Sequence, residues 1–191
     1  MRAPAFRPIV VIPDAAPLIH LAAGDALMVL NGMGRVVVPD IVLLETTWFL
    51  DKPHAREIAA WVEAGQQPGG NQPVEIAETE IGGLYRLALE QGLPRPRNAG
   101  EIGIAAWLAD NLSHVGGPAL VVYENGRVPN MLSREGVAAM VAVATTRNVL
   151  HMAQEKGLIA DAEALWARIT AAMPTANPAS NVTFLNPVVK P

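Results

Sequence analysis

Short runs of apolar, mostly β-branched residues recur along the chain, separated by segments with helical spacing, and this alternation constrains the fold more than any other feature. The first run, PIVVIP at Pro8–Pro13, carries no polar side chain, as a strand buried on both faces requires. Val36–Val38, Ala119–Tyr123 and Met140–Val143 read as strands in the same way, and Val74–Ile76 as an edge strand. Between them the spacing predicts helices over Ala15–Asn31 behind an Asp14 cap, from Pro39-Asp40 through Phe49, over Pro53–Glu63, over Glu80–Gln91, and over Glu101–Asn111 behind Asn98 or Gly100. Two more follow: one capped by Thr145 or Thr146, running through Lys156 and stopped by Gly157, and one from Asp161 to Ala172. Gly65–Pro73 and LPRPRNAG are loops, Asn125-Gly126 is a turn, and Met131–Gly136 has no clear period. Strands alternating with helices predict an α/β fold, a three-layer α/β/α sandwich around a central, mostly parallel sheet. Such sheets bind ligands at the carboxyl ends of their strands, where the strand order reverses.

Composition narrows the function classes. A chain of 191 residues, 51% hydrophobic and 17% charged, can bury roughly 70% of its unfolded surface as one domain. We assign that domain to residues 1–173 and an extended Pro-rich tail to residues 174–191. In that tail Phe184, Leu185, Val188 and Val189 suit contact with a partner or with a second copy of the chain, a homodimer. With 14 Lys and Arg against 18 Asp and Glu, a broad basic face is excluded, so any nucleic-acid contact is local. The absence of cysteine removes disulfides, thiolate metal sites and thiol nucleophiles together. Arg2 and Arg7 precede an apolar run, but Pro13, Asp14 and Pro17 interrupt it, so no signal peptide is expected. No window predicts a membrane span, and a cytoplasmic location is the expectation.

Four acids stand where chemistry is expected. Asp14 and Glu124 directly follow strands, which puts them at the ligand-binding edge. Glu45 lies one turn from Ile41 and from Phe49, and Glu101 shares a helix face with Ala105 and Leu108. A carboxylate facing the sheet needs a partner, and neither helix offers Lys or Arg one turn away, so a divalent cation bridging several carboxylates is the economical answer. Each acid also has an ordinary reading: Asp14 and Glu101 as helix-start acids, Glu45 on a solvated stripe, Glu124 in a turn. Other chemistries lack their motifs. Gly32-Met-Gly34 follows a helix and lacks a third glycine, and there is neither a P-loop nor a GxSxG elbow. His20, His54, His114 and His151 have no metal-ligand spacing and read as structural or surface residues.

The order of these segments resembles a known family. VVIPDAAPLIHL is similar to the strand-1 motif of PIN domains, PDIVLLE to their second acidic segment, GEIGIAAWLA to their Gly-Glu helix, LVVYENGR to the strand ending at their fourth acid, and VAVATTRNVLHMAQEKGLI to their closing strand, turn and helix. The resemblance spans about residues 8 to 172 and implies a PIN-like sandwich that binds Mg²⁺ or Mn²⁺ and cleaves single-stranded RNA, often as the toxin of a toxin–antitoxin pair held by an antitoxin protein. It implies Asp14, Glu45, Glu101 and Glu124 as catalytic metal ligands. Arg127, Arg134 and Arg147 are the nearby cations for holding RNA, with Thr145 and Asn125 as polar contacts. Ala16 stands where the family often has Ser or Thr, and Glu124-Asn125 where an Asp pair is common. Two rival readings are a PIN-fold protein-binding module without catalysis and a small phosphate-ester hydrolase on a similar sheet.

Overall fold

The computed structural model describes residues 8–69, 73–124 and 140–173. The apolar runs form β1 (Val10–Pro13), β2 (Arg35–Pro39), β3 (Val74–Ala77), β4 (Ala119–Val122) and β5 (Val141–Ala144), all parallel, in the order β3-β2-β1-β4-β5. Every residue of β1, β4 and β5 is buried, because helices cover both faces of the sheet and a parallel sheet leaves neither face to water. The helices among the described residues are α1 (Ala15–Ala23), α2 (Met28–Met33), α3 (Asp40–Thr47), α4 (Ala55–Gln66), α5 (Glu80–Gln91), α6 (Ala99–Val115), α7 (Thr146–Glu155) and α8 (Ala162–Ala172). The architecture is a three-layer α/β/α sandwich. No helix among the described residues is long and apolar enough to cross a membrane.

One predicted helix is two. The segment expected to run unbroken from Ala15 to Asn31 stops at Ala23 and restarts at Met28. Packing decides this: a Cβ on Gly24 would lie 2.7 Å from Ile169 Cγ1, so α8 sits against a bare backbone. Asp25 then takes a left-handed conformation with φ 52°, and Ala26 N–H donates back to the Leu21 carbonyl, closing the helix as a left-handed cap does. The other differences are at ends. α3 stops at Thr47 rather than Phe49, its last turn marked by Thr46 and Thr47 hydroxyls donating to the Val42 and Leu43 carbonyls. α4 starts at Ala55 rather than Pro53 because His54 is left-handed. α6 is longer at both ends than Glu101–Asn111, and β5 lies one residue later than Met140–Val143.

The strand order reverses between β1 and β4, since the chain moves from β1 toward β2 and β3 on one side and returns to β4 and β5 on the other. Pro13 pairs with Val122, and Asp14 N–H donates to the Val122 carbonyl at 2.8 Å. Asp14 and the Tyr123-Glu124 pair therefore emerge side by side at the crevice where open α/β sheets hold ligands.

Candidate active site

β1 and β2 both end in Pro-Asp, yet the two aspartates have different fates. Asp40, after β2, is buried and saturated: its Oδ1 accepts from Thr79 Oγ1 at 2.7 Å, from Thr79 N–H at 3.1 Å and from Ile41 N–H at 2.9 Å. It ties the start of α3 to the start of α5, and a Cβ on Gly82 would collide with its carboxylate. Asp14, after β1, is equally buried at 6% exposure but makes no cap bond to its helix. The sequence explains why. An N-cap acid bonds the amide of the second or third helical residue, and the third residue of α1 is Pro17, which has no N–H. The capping role open to Asp14 on position alone is thus largely disabled.

Glu45 is aimed by close packing between α3 and α6. Ile41 rests on Gly103, where a Cβ would overlap it. One turn along α3, Glu45 reaches Gly100, one turn back along α6. A Cβ on Gly100 would lie 3.0 Å from Glu45 Oε2 and 3.1 Å from Asp14 Oδ1. The two oxygens converge on one bare Cα and are no more than about 6 Å apart, a separation at which like charges compete for ionisation. Glu101, the third residue of α6, adds its field to both.

The electrostatics follow. Burial, opposed in part by the Ala15 N–H and reinforced by Glu101 and Glu124, raises the Asp14 pKa from 3.8 to about 6. Burial, then Asp14 and Glu101, raise that of Glu45 from 4.5 to about 7, with Arg95 pulling the other way. Among the described residues no lysine or arginine forms an ion pair with Asp14 or Glu45. A buried and a half-buried carboxylate that share space and repel are a strained arrangement, relieved by a proton or by a cation.

Glu124 sits on the other flank of Asp14 and is held firmly. Its Oε1 accepts from the Thr146 N–H at 2.9 Å and from the Thr146 hydroxyl, and lies 3.5 Å from His20 Nδ1. Burial raises its pKa, but the His20 and Thr146 contacts outweigh burial and the net direction is down. Glu124 stays ionised where Asp14 and Glu45 resist ionisation.

The remaining expected residues divide. Thr145 is buried and caps α7, accepting from Asn148 N–H at 3.4 Å, so its hydroxyl serves the helix. Arg147 makes a two-point pair with Glu163 on α8, at 2.9 and 2.8 Å. Asn125, Arg127, Arg134 and the Met131–Gly136 stretch lie outside the described residues, as does the tail from residue 174. Sequence reasoning passed over Arg95, whose field reaches Glu45. Its signal was its place in LPRPRNAG, immediately before the Gly-Glu helix. It also passed over the link from His20 to Glu124, since an i+6 position from Asp14 gives no hint of contact with a strand more than 100 residues away.

The donor set fits a hard divalent cation. Asp14, Glu45, Glu101 and Glu124 offer only carboxylate oxygens, as Mg²⁺ and Mn²⁺ prefer, and Gly100 leaves space beside two of them. Among the described residues no three His, Asp or Glu side chains form a ready-made cage, so a metal would have to draw the acids in. The chain matches no protein-family model, no curated protein and no solved structure.

Proposed function

We propose that this chain is a metal-dependent ribonuclease of PIN type acting on single-stranded RNA, with Asp14, Glu45 and Glu101 as the principal Mg²⁺ or Mn²⁺ ligands and Glu124 completing the site. The observation that carries the reading is the convergence of Asp14 and Glu45 on Gly100, a buried and a half-buried carboxylate that no lysine or arginine among the described residues pairs, at the crevice between β1 and β4. A bound divalent cation would supply a water of lowered pKa and a Lewis acid for a phosphate oxygen. The chain's own residues do the rest. Asp14 and Glu45 would hold the cation in their deprotonated forms, Glu101 would add charge from the first turn of α6, and Glu124, with its lowered pKa, would be ionised already. Arg95, exposed on the loop before α6 and with a field that reaches Glu45, suits a phosphate of the RNA backbone better than Arg147, which Glu163 holds.

The absence of a ready-made cage among the described residues favours a second reading, a PIN-like binding module that has lost catalysis. Purified wild type and Asp14→Asn incubated with a labelled single-stranded RNA, with and without Mn²⁺, separate the two. The nuclease reading expects cleavage by wild type with metal alone; the module reading expects no difference between the proteins.

A further inference from the structure

We propose that His20 and Thr146 are positioning residues for Glu124, together holding one carboxylate oxygen so that the other is presented to the Asp14 side of the crevice. The proposal deepens the metal-site reading above and rests on it. Its basis is geometric. All three contacts to Glu124 converge on Oε1: the Thr146 amide, the Thr146 hydroxyl and, at 3.5 Å, His20 Nδ1. None falls on Oε2. Glutamate has one more rotatable bond than aspartate, so an unanchored Glu124 would lose more conformational freedom on binding a cation. Two elements distant in sequence remove that freedom in advance. Thr146 opens α7 immediately after β5 and is fully buried, while His20 reaches across from α1.

His20 is itself held in place. The ring is buried, and Trp166 on α8 meets it edge to face, with centroids 6.0 Å apart and planes at 73°. In that packed orientation Nδ1 lies on the Glu124 side, 3.5 Å from Oε1. Nδ1 has no hydrogen-bond partner within normal reach, and a buried polar nitrogen left unsatisfied is costly. Glu124 is the acceptor beside it, at a distance long for a hydrogen bond, so a small inward movement of Glu124 or His20 completes the bond. A histidine whose only task was to fill the core would be better replaced by an apolar ring.

A merely structural role, in which Glu124 pins the start of α7 and nothing more, makes a different prediction. The test is Mn²⁺ titration by calorimetry at pH 8 into metal-free wild type, Thr146→Val, Thr146→Ser and His20→Phe, each alone and with Glu124→Gln, with thermal melts to confirm folding. His20→Phe keeps the contact to Trp166 while removing Nδ1. Positioning predicts that Thr146→Val and His20→Phe each weaken Mn²⁺ binding about ten-fold, that Thr146→Ser retains wild-type affinity, and that neither change weakens binding further once Glu124 is Gln. Folded Thr146→Val and His20→Phe proteins with wild-type affinity overturn the proposal while leaving the metal site standing, and so does a loss that persists undiminished beside Glu124→Gln. Failure of wild type to bind Mn²⁺ overturns the metal-site reading and this proposal with it.

Discussion

Asp14 Oδ1 and Glu45 Oε2 approach the same bare Cα, that of Gly100, from β1 and α3 respectively. Neither acid makes a capping bond that would fix it there. Asp14 lacks the amide of the third residue of α1, which is Pro17, and Glu45 is turned inward because Ile41, one turn earlier, needs the gap left by Gly103. The site is thus a product of how closely α3 and α6 pack, and its behaviour should track that packing.

Gly100 is the direct test of the convergence. A Cβ at 3.0–3.1 Å from both oxygens is tighter than ordinary contact, so Gly100→Ala must push the carboxylates outward. Alanine favours the first turn of α6 by up to about 1 kcal/mol over glycine, and Glu45 has a flexible side chain that can yield. Melting should therefore change by less than about 1 kcal/mol, while Mn²⁺ affinity measured by calorimetry falls at least ten-fold. Unchanged affinity would mean that the two acids do not act on a common ion.

Metal-free stability should fall as pH rises. Asp14 ionises near 3.8 when unfolded but at about 6 when folded, and Glu45 near 4.5 against about 7. Between about pH 4 and 7 the folded chain binds more protons than the unfolded one, so the slope of unfolding free energy with pH is negative. For Asp14 alone the loss is on the order of 2–3 kcal/mol; Glu45 is coupled to it, so the two do not add. Glu124 works in the opposite sense, since its lowered pKa gives stability that is lost only as pH drops below its ordinary value of 4.5. Melts at pH 5 and pH 8 without metal check the sign, and Asp14→Asn should flatten the difference. The stabilisation by Mn²⁺ should grow across the same range, because the cation binds the deprotonated acids.

The two Pro-Asp pairs predict opposite mutant behaviour. Asp14→Asn removes a repelling charge and should leave the metal-free fold as stable as before or more so, while abolishing metal-induced stabilisation. Asp40→Ala strands the Thr79 hydroxyl and two amides at a buried site, at a cost of about 1–3 kcal/mol for each donor left unpaired. Denaturant melts with and without Mn²⁺ distinguish them; a large destabilisation by Asp14→Asn would return that residue to an ordinary structural role.

Much of this molecule was legible in its sequence because burial on both faces of a parallel sheet leaves an unmistakable mark. The runs PIVVIP and ALVVY could only be central strands, and with β1 and β4 central, Asp14 and Glu124 had to lie at their carboxyl ends. What was not legible depended on contacts between distant segments. The apolar spacing from Ala15 to Asn31 is continuous, and only the approach of Ile169 to Gly24 shows why the helix breaks there. Glu45 lies on a helix apolar on several sides, so its direction was open until Ile41 was seen to seat on Gly103. Pro17 was the missed clue: its lack of an N–H, read against the capping rule, already argues that Asp14 serves something other than its helix. Nor could the sequence show that Arg147, close in sequence to the crevice, is paired with Glu163 on α8.

The central claim, that the acids at the β1–β4 crevice form a divalent-metal nuclease site, is tested most directly by the rate of single-stranded RNA cleavage as Mn²⁺ is titrated into metal-free wild type and into identically purified Asp14→Asn. The account predicts cleavage by wild type that rises with Mn²⁺, vanishes on chelation and is at least about a hundred-fold slower in Asp14→Asn, an effect of about 2.7 kcal/mol on the barrier. Equal rates for the two proteins, or no cleavage by wild type at any Mn²⁺ concentration, would contradict it.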